Sequence, residues 1–113
     1  MDQLTKYREL IKQILTDYVA LTRRAKPSGL ESHLLMDDVR GHYMWLKLGW
    51  EHGRRVQYIA VYVRLYDGKF WIEEDWTEDG IATELLRASV PKEDIVLAFN
   101  APESKPQMEA VAA

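Results

Sequence analysis

The sequence predicts an α+β domain: an N-terminal helix, a four-stranded antiparallel meander, a second helix and a short C-terminal strand, with the helices on one face of the sheet. Three observations carry this prediction. Leu4, Tyr7, Ile11, Ile14, Leu15 and Tyr18 recur at the spacing of one helix face. From Glu31 to Asp75 the apolar period changes to two, with turn residues cutting the stretch into four runs. A second helical stripe, Ile81, Leu85, Leu86 and Ser89, then precedes Pro91 and a final apolar run.

The first helix keeps Lys6, Arg8, Glu9, Lys12, Gln13 and Asp17 on its wet side and should stop before Lys26-Pro27-Ser28-Gly29. The strands are expected at residues 32–37, 43–50, 56–66 and 69–74. Asp38-Val39-Arg40-Gly41, His52-Gly53 and Asp67-Gly68 are the turns between them, and Asp-Gly between alternating runs suits a type I′ turn, which needs positive φ at both central residues. Thr77 is placed to cap the second helix, with Glu78 and Asp79 at its positive end. Residues 95–99 are expected as a last strand or an extended segment that closes the core. Residues 1–100 make the single domain, and 101–113, with two Pro and no periodicity, read as a loosely ordered tail.

Counting outward from the two tight turns gives a register. It pairs Tyr66 with Lys69 and Val63 with Ile72 in one hairpin, and Leu46 with Ile59, Trp45 with Ala60 and Tyr43 with Tyr62 in the other. Met44, Leu46, Ile59, Val61, Val63, Leu65, Phe70 and Ile72 then share the helix-covered face. The opposite face carries Tyr43, Trp45, Lys47, Tyr58, Tyr62, Arg64, Tyr66, Trp71 and Glu73, so it holds six of the chain's 12 aromatic residues. Tyr and Trp with interspersed Arg is the composition of interface hot spots rather than of a wetted sheet face. Tyr43, Trp45, Tyr58, Tyr62, Arg64, Trp71 and Glu73 are therefore the candidate interaction face.

Composition narrows the chemistry. With 113 residues, 47% of them hydrophobic and 29% charged, the chain is an ordinary globular domain with one core. The absence of Cys excludes thiol catalysis and cysteine-held metals, and it fits a reducing cytoplasm. Residues 1–10 are too charged for a signal peptide, and uncharged runs such as 56–63 are far too short to span a bilayer. A net charge of −3 argues against DNA binding through phosphates. The charge is polarised, with 10 basic against 7 acidic residues in 1–56 and 5 against 11 in 57–113. Such a dipole orients a charged partner or a second copy.

Catalytic constellations are sparse. His33, His42 and His52 lack metal-pair spacing, and no Ser, His and acid stand as a triad. Glu73 and Asp75 on one strand face with Glu78 beyond could hold Mg²⁺ in a nuclease, but an acidic helix start explains them more simply. A direct nucleic-acid reader would use the Tyr58, Tyr62 and Trp71 face for stacking, supported only by Lys47, Arg64 and Lys69. A homodimer through the same face is the third alternative.

Several segments resemble the XisI family of fdxN element excision controlling factors, found mainly in cyanobacteria. They are Leu48-Gly49-Trp50, Gly53-Arg54-Arg55, the run from Asp67 to Ile72, Thr77-Glu78-Asp79-Gly80-Ile81-Ala82, and the run from Val90 to Phe99. The resemblance implies a non-enzymatic accessory role in programmed excision of a DNA element, with a separate recombinase cutting and joining the strands. It implies an XisH-like, endonuclease-type protein as partner, and no catalytic residue, metal or cofactor. Many relatives carry His where Tyr62 and Glu74 stand, so no histidine-based role is carried over. The C-terminal run from Lys105 to Val111 also lacks the aromatic residue usual there.

Overall fold

A computed structural model describes residues 2–24 and 29–99. Helix α1 spans Gln3–Arg24, strands β1 to β4 span Leu30–Asp37, His42–Glu51, Arg54–Tyr66 and Lys69–Asp75, helix α2 spans Ile81–Arg87, and β5 spans Ile95–Leu97. The sheet order is β1-β2-β3-β4-β5, so the first four strands form the expected meander. Strand β5 returns through α2 to lie parallel to β4, pairing Phe70 with Ile95 and Ile72 with Leu97. The sheet is thus mixed, because a helical crossover brings the chain back in the same direction. No helix among the described residues is long and apolar enough to cross a membrane. The expected tail, 101–113, lies outside the described residues.

Both helices cover one sheet face. From α1, Tyr7, Ile11, Leu15 and Val19 are buried, and from α2, Ile81 and Leu85 join them against Val61, Val63, Phe70 and Ile72. The ring of Tyr7 meets that of Phe70 at 4.6 Å, and its hydroxyl donates to Asp94 at 2.6 Å. Burial, reinforced by the Asp94 carboxylate, pushes the Tyr7 phenol up to about 12.

The two tight turns have the geometry their sequences require, with positive φ at His52 and Gly53 and at Asp67 and Gly68. Gly41 closes the third turn at φ 77°, where its carbonyl accepts from Leu65 N at 2.8 Å. A Cβ there would lie 2.5 Å from the Leu65 carbonyl oxygen. Gly41→Ala is therefore expected to cost about 2 kcal/mol of stability, measurable by chemical denaturation.

The register departs from the turn-based expectation in two places, and the departures decide which residues face outward. Between β2 and β3 the pairing holds as far as Leu46 with Ile59, then skips Ala60, so that Trp45 opposes Val61 and Tyr43 opposes Val63. This β-bulge reverses the face of β2 relative to the inner part of β3. Tyr43 and Trp45, expected on the outer face, are core residues with exposures of 0% and 5%. Met44 and Leu46, expected inside, take the outer face and are only part-buried. The physical reason is area: each aromatic ring buries roughly 150–250 Å². The alternation of β1 also matches, because part-buried Leu34 and Met36 stand opposite Trp45 and Tyr43. Tyr58 is likewise on the helix side: it pairs with Lys47, whose ammonium lies 5.3 Å from the Trp45 ring centre.

The second bulge lies in β4. Ile72 opposes Val63, but Glu74 opposes Tyr62 and Asp75 opposes Val61, leaving Glu73 as the extra residue. Glu73 and Asp75 therefore do not share a face. Asp75 turns to the helix side and anchors the start of α2. Its Oδ2 accepts from Ile81 N at 2.7 Å, and its Oδ1 accepts from the Thr77 amide at 2.9 Å and hydroxyl at 2.6 Å. The helix cap expected of Thr77 is supplied by Asp75, while Thr77 Oγ1 accepts from Gly80 N at 3.1 Å. Of the predicted α2 stripe, Ile81 and Leu85 are buried, whereas Leu86 is exposed and Ser89 lies beyond the helix with φ 69°.

Candidate interaction surface

The bulges leave a sheet face that neither helix covers. Of the seven sequence-predicted interface residues, Tyr62, Arg64, Trp71 and Glu73 are together there, joined by Met44, Leu46, His42 and Tyr66. Tyr43, Trp45 and Tyr58 are not. The alternation of β2 concealed Met44 and Leu46, because it offers apolar side chains to both faces.

This face is ordered by polar contacts between its rings. Arg64 Nε donates to Glu73 Oε2 at 3.0 Å, with both side chains less than a third exposed, and its guanidinium carbon lies 5.5 Å from the Tyr66 ring centre. Trp71 Nε1 donates to the Tyr66 carbonyl at 2.8 Å, and the two rings meet edge to face at 6.0 Å. His42 Nδ1 and the Tyr62 hydroxyl share a hydrogen bond of 2.8 Å, with ring centres 5.9 Å apart. Burial holds the Tyr62 phenol above its ordinary value, with Arg64 opposing and Glu73 adding to the rise. Pre-positioned rings lose little side-chain entropy on binding, and such rings make effective anchors.

Metal chemistry at the acidic pole is not supported by this geometry. Glu73 is paired with Arg64 on the open face, and Asp75 is committed to Thr77 and Ile81 on the other. No three metal-binding side chains gather among the described residues. The three histidines are also apart from one another in role: His33 contacts Glu31 at 2.9 Å, His42 contacts Tyr62, and His52 forms a turn.

The family model described as XisI protein matches residues 1–111. The chain belongs to the XisI family. A crystal structure of an XisI-like protein from Anabaena variabilis ATCC 29413 has 36% identity to this XisI-family chain and a TM-score of 0.80, covering 92% of this chain and 93% of that one. The crystal structure of fdxN element excision controlling factor XisI from the same organism has 39% identity and a TM-score of 0.80, covering 92% of this chain and 99% of that one. No curated protein matches the chain.

Proposed function

We propose that this XisI-family chain is a non-enzymatic accessory factor in excision of a DNA element of the fdxN kind, and that it acts in the cytoplasm by binding a partner protein through its open sheet face. The observation that carries this reading is the pre-ordered aromatic surface of Tyr62, Tyr66 and Trp71 around the Arg64–Glu73 pair. Aromatic and Arg side chains concentrate binding energy at protein interfaces. Family membership and the 39% identical excision controlling factor supply the biological setting. The commitment of Asp75 to the start of α2 favours a structural role for the acidic pole over a nuclease centre. The partner that fits the setting is an XisH-like, nuclease-type protein.

The experiment is size-exclusion chromatography with light scattering on the chain alone and with that protein, followed by affinity measurement. A mixed complex is expected, weakened by more than about 1 kcal/mol, or roughly fivefold in Kd, in Tyr62→Ala and Trp71→Ala with circular dichroism unchanged. Equal affinity in both variants would move the interface elsewhere. A homodimer indifferent to the nuclease-type protein would give the face to self-association.

A further inference from the structure

A second surface lies on the helix side, away from the Tyr62–Trp71 rings. Two depressions, of about 230 and 190 Å³, adjoin at Tyr18 and make its groove. It runs from Asp17 and Asp79, between α1 and the start of α2, to Trp45 and Lys47 in the middle of β2 and Tyr58 on β3. Tyr18 lines both depressions, and Tyr58 and Trp76 line the second. Trp45 contributes to the wall of the second.

Two properties say what would bind. The groove is aromatic but bordered by carboxylates: Asp17, Asp79 and Glu84 at one end and Glu78 at the other. Neither Glu78 nor Asp79 pairs with a cation among the described residues. Among the described residues Lys47 is the one basic side chain in the lining, and its ammonium sits over the Trp45 ring, so the wall already accepts a cation on an indole face. The second property is independent of charge. Trp45 Nε1 is buried without a hydrogen-bond partner among the described residues, and an unmet donor of this kind costs about 1–3 kcal/mol.

Trp76 is the prominent feature of the rim. Its side chain is 71% exposed, yet its backbone amide donates to the Ala60 carbonyl at 2.8 Å and its indole N–H donates to Glu74 at 2.9 Å. A large ring held out in a fixed orientation beside carboxylates suits a guanidinium or ammonium group. A nucleic-acid strand is the wrong occupant, because its phosphates would meet the acidic border.

We propose that this groove binds an extended, arginine- or lysine-bearing segment of a partner protein, with a main-chain carbonyl of that segment accepting the Trp45 N–H. The site is separate from the open sheet face, and its test uses no nuclease-type protein, so either reading can fail without the other. The full chain, isotope-labelled, is titrated with a short alternating Arg-Ala peptide and followed through its indole N–H resonances. A saturable shift of the Trp45 resonance is expected. Fluorescence anisotropy with the same labelled peptide should give a Kd raised about fivefold in Trp76→Ala and in Glu78→Gln, both changes at exposed sites. Trp50→Ala, at an indole 60% exposed elsewhere on the sheet, should leave it unchanged. An undisturbed Trp45 resonance, equal binding of an alternating Glu-Ala peptide, or an unaltered Kd in both groove variants would overturn the proposal.

Discussion

Replacing Tyr43 by alanine is expected to remove about 3–5 kcal/mol of stability, enough to leave little folded protein. The ring is fully buried against Val63 and part-buried Met36, and its hydroxyl donates to Asp38 at 2.9 Å. Burial and the neighbouring Asp38 carboxylate both hold that phenol protonated. Tyr43→Phe, which keeps the ring and loses only the hydrogen bond, should cost about 1 kcal/mol. Met44→Ala should also cost about 1 kcal/mol, because Met44 is part-buried on the open face and its removal leaves no enclosed cavity. Urea denaturation of the three variants distinguishes the bulged register from the unbulged one. Without the skipped Ala60, Met44 would be the core residue and the order of the effects would reverse.

Asp75→Ala should lower stability by about 2–3 kcal/mol, and the melting temperature by about 10 °C. One carboxylate accepts three hydrogen bonds, one of them from the amide of Ile81, the first residue of α2, whose side chain is fully buried. Removing it leaves those donors unmet and frees the segment between β4 and α2. Gly80, the residue flanking the helix, makes no side-chain cap that could compensate. Asp75→Asn keeps an acceptor and should recover about half of the loss. Thermal melts followed by circular dichroism measure both. A change below about 0.5 kcal/mol in Asp75→Ala would mean that the helix start is held by packing instead.

Most of the architecture was legible in the sequence, and the strand residues assigned to the wrong face share one cause. The helix stripe of α1 gave Tyr7, Ile11 and Leu15 correctly as buried, and the Asp67-Gly68 turn fixed four residue pairs of β3 and β4 as observed. Both are local signals. The positions of the bulges are not local. Strand β2 alternates Tyr43 and Trp45 with Met44 and Leu46, so either face could enter the core, and the choice rests on β1 and the helices. Register counted outward from His52-Gly53 is right until Leu46 and wrong beyond it, because one skipped residue reverses every later side chain. The same cause split the candidate interface: Tyr62 and Trp71 stayed on the open face, while Trp45 and Tyr58 came to line the groove instead. The expectation that Glu73 and Asp75 share a face failed likewise, since the extra Glu73 sends Asp75 through to the helices.

The order of the strands bears on how the sheets of two molecules can join edge to edge. Among the described residues the two borders of the sheet are unequal: eight-residue β1 ends one side, and three-residue β5 ends the other. Open-ended stacking needs two long borders, one to receive and one to offer. With one long border, head-to-head joining of two molecules consumes it, and growth stops at a pair.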